Sequence, residues 1–299
     1  MQESKFKIGY FADGPWSHNA FELLIKDPRI EISFIVPRKD TNDNTLKKFS
    51  IDNKIDYLNP VNVNSDEFYK KAKTYNCDIF ISLSFNQIFK KRIINLPRLK
   101  TINCHAGKLP FYRGRNVLNW CLINDEKEFG ITVHMIDEGI DTGDIILQRV
   151  YEINDEDDYS SILNKAHIEC GKILYHAVKK IIINDFTLTK QSSIDPIGFY
   201  CGGRGEGDEV IDWNQDSRKI FNFIRAICHP GPMATTFFQG KKVRINRAEY
   251  IPSIKKYINK PGQILSKFDG GYIVKTKDTF IKILEIKSDV NLKVGDVFE

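Results

Sequence analysis

Asn103-Cys104-His105 sets an amide and an imidazole two residues apart. At the end of a strand, residues i and i+2 project to one face, so both side chains reach the same small volume. Asp141 follows a β-type run and the tight turn Asp137-Glu138-Gly139-Ile140. Parallel strands deliver their ends to one rim, which lets Asp141 approach His105. The three groups are of the kind that move a proton near neutral pH and support a developing negative charge. Taken singly they have plainer readings, a satisfied structural histidine and an aspartate capping a turn. Cys104 points away from its two neighbours and reads as structural.

The elements that must position these residues alternate along the chain. Strands are expected at Lys7–Ala12, Glu31–Val36, Asp78–Leu83, Thr101–Cys104, Ile131–Ile136 and Ile146–Ile153. Helices are expected at Ala20–Ile25, Asp66–Thr74, Gln87–Ile94, Val117–Ile123 and Tyr159–Ile183. Strands joined through helices need crossovers, so residues 1–195 read as a Rossmann-like, doubly wound α/β domain with a mostly parallel sheet. Ligands in such domains collect at the carboxyl ends of the strands. Residues 196–209 hold five glycines and read as a linker or binding loop. Residues 210–299 begin with a helix, Asp216–Cys228, capped by Asp216 or Ser217 and stopped by His229-Pro230-Gly231-Pro232. Short β-type runs follow at Thr235–Phe238, Val243–Tyr250, Gly262–Lys267, Tyr272–Lys275 and Phe280–Ile286, a small β-rich, barrel-like module.

Composition narrows the function classes. The 299 residues suffice for two domains, and 41% hydrophobic with 28% charged residues is ordinary for a globular protein. No apolar run reaches the ~18 residues of a membrane helix. Nothing apolar follows Met1-Gln2-Glu3-Ser4-Lys5 to serve as a signal peptide. The six cysteines form no C-x-x-C pair, so neither metal ligation nor a disulfide framework is expected. A cytoplasmic enzyme without a membrane partner is the expectation. Residues 210–299 carry 16 basic against 9 acidic groups, whereas residues 1–209 carry 28 against 30. A basic tail module suits a phosphate-bearing partner, and a solvated lysine-rich face is the plain alternative.

The spacing carries a resemblance. Asn103-x-His105, Leu109-Pro110, Arg113-Gly114, Gly130-Ile131-Thr132 and Asp141-Thr142-Gly143-Asp144 closely resemble the formyltransferase family that uses 10-formyltetrahydrofolate. In that family an Asn, a His two residues on and an Asp 36 residues after the His form the catalytic set, the spacing of Asn103, His105 and Asp141. The resemblance implies that His105 takes a proton from the acceptor amine, that Asp141 orients His105, and that Asn103 donates to the carbonyl oxygen as it becomes negative. Deprotonating an alkylammonium at pH 7 costs roughly 4–5 kcal/mol, which a base titrating near 7 is suited to share. It also implies a folate pocket from Phe85, Asn86 and Ile88 with the turn Ile136, Asp137, Glu138 and Ile140, and it requires no metal.

Family members differ in their acceptor. The glycinamide ribonucleotide enzymes resemble only the first ~200 residues, so the extra module argues against them. The methionyl-tRNA enzymes share the layout and would explain a basic module, but they carry a basic, glycine-containing loop after the second strand. Here that region, Pro37 to Lys48, is shorter and lacks glycine. Tyr112-Arg113-Gly114-Arg115-Asn116 and Leu118-Asn119-Trp120 resemble a formyltransferase of a UDP-linked amino-arabinose. The expected reaction is therefore transfer of formyl to a dTDP- or UDP-linked amino-deoxy sugar for lipopolysaccharide and O-antigen synthesis. Trp16, Lys108, Arg113, Arg115 and Arg204 are the candidate contacts to that acceptor, each with a structural alternative. Methionyl-tRNA formylation, with tRNA as partner, is the alternative, and a silent folate- or nucleotide-binding protein is a second. A dinucleotide oxidoreductase is disfavoured because Gly9 and Gly14 do not make G-x-G-x-x-G. Sugar-modifying relatives are commonly dimers, so the resemblance is compatible with a homodimer.

Overall fold

A computed structural model describes residues 4–252 and 255–299; the first three residues of the N-terminal segment read above lie outside it. The chain divides into two compact units. The first comprises Met1–Gly114, Phe129–Tyr151 and Asn164–Tyr200, and the second Arg115–Glu128, Glu152–Leu163 and Cys201–Glu299.

The first unit is built on a seven-stranded sheet. Its strands are β1 (Phe6–Ala12), β2 (Ile30–Val36), β3 (Asp56–Tyr57), β4 (Ile79–Leu83) and β5 (Thr101–His105). A two-residue strand β6 (Arg113–Gly114) lies outside the sheet, and β7 (Glu128–Met135) and β8 (Ile145–Glu152) complete it. The spatial order is β3-β2-β1-β4-β5-β7-β8, with β1 to β5 parallel. Helices α1 (Pro15–Ile25), α2 (Thr45–Asp52), α3 (Asp66–Lys73), α4 (Lys91–Ile94) and, in the second unit, α5 (Val117–Ile123) come between strands, and α6 (Tyr159–Ile182) follows β8. All five residues of β4 are buried, the mark of a central parallel strand covered on both faces. Phe11 is the centre of an aromatic cluster, with the rings of Phe34, Phe68, Phe80, Phe85 and Phe89 at 5.0–5.9 Å. Their edge-on arrangement packs the β1–β4 part of the sheet, next to β5.

Two local expectations need correction. Gln87–Ile94 is helical only over Lys91–Ile94. The preceding residues are tied instead to the segment before α3: Gln87 Oε1 accepts from the Val63 N–H at 3.0 Å, and Asn64 Oδ1 accepts from the Lys90 N–H at 2.7 Å. These bonds compete with helix formation. The second correction concerns how Asp141 reaches the site. β7 runs antiparallel to β5, pairing Ile102 with Met135 and His105 with Thr132, so β7 ends beside the start of β5 and not at its carboxyl rim. The chain returns because the 136–144 loop folds back along β7. The Met135 N–H donates to the Asp144 carbonyl at 2.8 Å. Any side chain at Gly143 would collide with the Met135 carbonyl, so that fold-back requires glycine.

In the second unit, after the two-residue strand β9 (Tyr200–Cys201) at its border and α7 (Ser217–Ile227), come β10 (Ala234–Phe238), β11 (Lys241–Glu249), β12 (Ile264–Phe268), β13 (Gly271–Lys275) and β14 (Phe280–Lys287). They form an antiparallel sheet of order β10-β11-β14-β13-β12. The C-terminal residues bridge its two edges. Ile264 N–H donates to the Asp296 carbonyl at 2.8 Å, and Glu299 N–H donates to the Phe237 carbonyl at 2.9 Å. Both edge strands thus find partners, which gives the sheet its barrel-like character. Asp216 has extended N-cap geometry but no side-chain capping bond; the first-turn donor of Ser217 goes to Asp278 Oδ1 at 2.8 Å. Arg218 on α7 holds Asp125 and Asp155 through paired hydrogen bonds of 2.5–3.2 Å, which explains why residues 115–128 and 152–163 belong to this unit.

Candidate active site

β5 and β7 bring the polar groups together by register. Asn103 pairs across the ladder with His134, and the side-chain alternation of β5 sends Asn103 and His105 to the same face. The returning 136–144 loop then inserts Asp141. Its carboxylate Oδ2 lies 3.7 Å from His105 Nδ1, and its Oδ1 lies 3.4 Å from His134 Nε2 and 3.5 Å from Asn103 Nδ2. Oδ2 also accepts the Gly114 N–H at 2.9 Å. Asp141 adopts a left-handed φ of 55°, a conformation that costs a non-glycine residue energy and persists only where surroundings impose it.

The partner atoms assign the hydrogens. His105 Nε2 is 2.7 Å from the Tyr112 carbonyl, which can only accept, so Nε2 carries a hydrogen and neutral His105 keeps its lone pair on Nδ1. That lone pair is on the side of Asp141. The close approach of ring and carbonyl depends on Gly107, because a Cβ there would strike both the Tyr112 oxygen and the His105 ring. His134 Nδ1 is likewise 2.8 Å from the Met135 carbonyl, which leaves Nε2 to accept from Asn103 Nδ2 at 3.3 Å. The second Asn103 N–H, at 3.5 Å from Asp141, is at the outer limit of a hydrogen bond and is available to a better acceptor. Below the site, Thr132 Oγ1 donates to the Gly107 carbonyl at 2.7 Å, and Gln148 Nε2 donates to the Leu109 carbonyl at 2.8 Å. These buried bonds hold the loop that follows His105.

Burial alone would raise the Asp141 pKa. The facing His105 and His134, in their imidazolium forms, and the Gly114 N–H outweigh it and hold the carboxyl well below the usual range. A buried thiol is no rival nucleophile here: Cys104 is buried with Sγ 3.7 Å from the Cys170 carbonyl, away from the polar cluster.

The structure therefore brings Asn103, His105 and Asp141 into one cluster and adds His134. Sequence reasoning missed His134 because the antiparallel pairing that sets it opposite Asn103 leaves no local signal; its place in the Gly130-Ile131-Thr132 strand was the only hint. The expected folate segment is spread more widely. Phe85 and Ile136 pack against the aromatic cluster, and Asn86 donates to Asp40 at 3.0 Å. Asp137 accepts from the Gly139 N–H at 3.0 Å and Thr142 Oγ1 at 2.5 Å, holding its turn closed, with Glu138 exposed on it. Ile88 and Ile140 are left 71% and 55% exposed.

Within the first unit, three candidate acceptor contacts are engaged by protein groups. Trp16 packs edge-on against His167 at 4.5 Å, and Lys108 packs its Cβ side on Gly130. Arg113 is buried and gives its guanidinium to Gln191 Oε1 at 2.7 and 3.0 Å, so it is not open to a phosphate. In the second unit Arg115 is exposed. Arg204 there lies over the Trp120 and Phe223 rings at 5.4 and 5.5 Å and donates to the Asp208 carbonyl.

Comparison with known proteins identifies the family whose fold carries this cluster. Residues 29–178 match the model of the formyl transferase family, and residues 206–294 match that of the formyl transferase C-terminal domain. The chain belongs to the formyltransferase family. This formyltransferase is 32% identical over 244 residues to a methionyl-tRNA formyltransferase of Thermodesulfovibrio yellowstonii, spanning 82% of the chain and 76% of that relative. Among solved structures it is similar to WlaRD, a sugar 3N-formyl transferase determined in the presence of dTDP and 5-N-formyl-THF. That likeness has a TM-score of 0.71, 25% identity, and coverage of 96% and 99% of the two chains. The N-formyltransferase of Helicobacter canadensis, solved with folinic acid and dTDP-3-aminofucose, shares the fold at a TM-score of 0.68, with 22% identity and coverage of 95% and 100%.

The lowered Asp141 pKa makes a stability prediction for this formyltransferase. The unfolded carboxyl titrates near 3.9 and the folded one lower, so the contribution is complete above the unfolded value and is lost as pH falls toward the folded one. Relative to Asp141→Asn, the wild type should lose about 1.4 kcal/mol of stability per pH unit below about pH 3.9. Urea midpoints of both proteins at pH 6, 4 and 3 measure this, and a pH-independent difference contradicts it.

Proposed function

We propose that this formyltransferase passes formyl from 10-formyltetrahydrofolate to the amine of a dTDP- or UDP-linked amino-deoxy sugar, a step in the synthesis of cell-surface glycans such as lipopolysaccharide O-antigen. The observation that carries the acceptor is the connection after β2. Only residues 37–44 separate β2 from α2, and of their basic groups Arg38 is tied to Asp40 by hydrogen bonds of 2.9 and 3.0 Å. That connection lacks the length and the glycine of the loop by which the tRNA-modifying members enter an acceptor stem. The similarity to two sugar-modifying enzymes over nearly their whole length supports the same reading.

His105 Nδ1 accepts the proton that the amine loses as its nitrogen bonds to the formyl carbon. Asp141, 3.7 Å from that atom, stabilises the resulting imidazolium and closes on it when substrates exclude water. The Asn103 N–H donates to the formyl oxygen while charge accumulates there, an interaction worth ~3–4 kcal/mol in comparable sites. His105 then returns its proton to the departing folate nitrogen as the carbon–nitrogen bond to the donor breaks. The products are the formamide and tetrahydrofolate; an acceptor that arrives as ammonium first gives one proton to solvent, so one proton is released overall. The donor's pterin fits the turn 136–140 and the segment at 85–88, where Ile88 and Ile140 present apolar side chains to solvent.

Methionyl-tRNA formylation is the second reading. It is favoured by the sequence relatives, which are methionyl-tRNA formyltransferases at 30–32% identity, and by the basic residues 210–299. A panel assay with 10-formyltetrahydrofolate separates the two. Formylation of dTDP- or UDP-amino sugars and not of charged initiator tRNA is expected; the reverse pattern overturns the acceptor assignment. In the active reaction, His105→Ala should abolish transfer while nucleotide-sugar affinity, measured by calorimetry, stays within a few-fold. Transfer near the wild-type rate would remove His105 from the mechanism.

A further inference from the structure

We propose that Gln191 is a positioning residue for formyl transfer: it fixes the backbone of the Asp141 loop, and Arg113 fixes Gln191. The inference rests on the reading of Asp141 given above. The 136–144 loop carries no regular secondary structure, and Asp141 sits in it with a left-handed φ. Something outside the loop must hold that conformation.

Gln191 does so with every polar valence of its side chain. Nε2 donates one hydrogen to the Asp141 carbonyl and the other to the Gly143 carbonyl, both at 2.8 Å. Oε1 accepts from Arg113 Nε at 3.0 Å and Nη2 at 2.7 Å. Arg113 Nη1 continues to the Ile197 carbonyl at 3.2 Å. Gln191 is 3% exposed and Arg113 7%, so these bonds are made where a loose amide or guanidinium would be costly.

The arrangement closes on itself. Gly114, the residue after Arg113, donates its N–H to the Asp141 carboxylate at 2.9 Å. The Arg113–Gly114 pair therefore grips Asp141 twice, at its side chain through a backbone N–H and at its carbonyl through Gln191. Gln191 is itself held in register, because Thr189, two residues before it, exchanges two backbone hydrogen bonds with Ile145 at 2.8 and 2.9 Å. Arg113, a candidate phosphate clamp from sequence, thus serves the carboxylate beside His105. A residue that only ties the segment after α6 to the sheet would need neither donor aimed at the loop that bears Asp141.

Gln191→Glu tests this with the fold preserved, since glutamate keeps the shape and the partnership with Arg113 but turns a bare oxygen toward the two carbonyls. With 10-formyltetrahydrofolate and dTDP-3-aminofucose, or initiator methionyl-tRNA should the panel favour it, kcat should fall about 10–100-fold with both KM values within about three-fold. In an Asp141→Asn background the same change should cost less than about three-fold, because the residue it positions is already lost. Arg113→Lys, which keeps a buried cation and one bond to Gln191, should lower kcat by about 3–10-fold with the same non-additivity. It provides the test if Gln191→Glu does not fold by circular dichroism. A folded Gln191→Glu or Arg113→Lys with wild-type kcat, or an equal loss in both backgrounds, overturns the proposal while leaving the reading of the site intact. Wild-type turnover by Asp141→Asn alone defeats that reading, and the proposal with it.

Discussion

One buried carboxylate organises the first unit of this formyltransferase. Asp141 keeps its charge away from bulk water, and it does so only because His105, His134, Asn103 and the Gly114 N–H surround it. The partners come from three parts of the chain: the end of β5, the end of β7, and the segment after the Leu109-Pro110 turn. The carboxylate thereby sets a joint requirement on three connections. If β7 slipped by one residue against β5, His134 would turn to the other face and the charge would lose a partner. The glycines at 107 and 143 belong to the same requirement, since each removes a Cβ where ring or backbone must come within contact distance.

In the proposed reaction the charge also sets the direction of proton transfer. With Nε2 committed to the Tyr112 carbonyl, His105 has one basic atom left, and it faces the carboxylate. A proton taken there gains a nearby anion without the reorganisation that water would need. Asn103 shares the cluster but keeps one N–H weakly engaged, so the stabilising donor and the base sit on a single strand end two residues apart. For the proposed reaction the cluster has only to move a proton between two nitrogens, with positioning from the rest of the fold.

Much of this was legible in the sequence, and for identifiable reasons. Strands such as Ile79–Leu83 show as largely apolar runs because both their faces are buried. The set Asn103, His105 and Asp141 was legible through its resemblance to the formyltransferase family, although Asp141 arrives by a fold-back of the 136–144 loop. What escaped depends on contacts distant in the chain. His134 is set opposite Asn103 by an antiparallel pairing, and the role of Arg113 is set by Gln191, 78 residues away. Gln87–Lys90 has helix-compatible residues but is captured by the Val63–Asn64 backbone and side chain. The acidic partners of Arg218 lie in segments read as parts of the first domain, so their attachment to the second unit had no sequence signature.

The most direct test of this account is the tautomer of His105, read from nitrogen-15 chemical shifts in the histidine-labelled enzyme at a pH where the imidazole is neutral. The hydrogen is expected on Nε2, with Nδ1 a bare, pyridine-type nitrogen beside Asp141, and Tyr112 supplying the acceptor. A spectrum with the hydrogen on Nδ1, donated to Asp141, would contradict the account. It would move the base to the other ring nitrogen, and the carboxylate would then serve only to hold the ring.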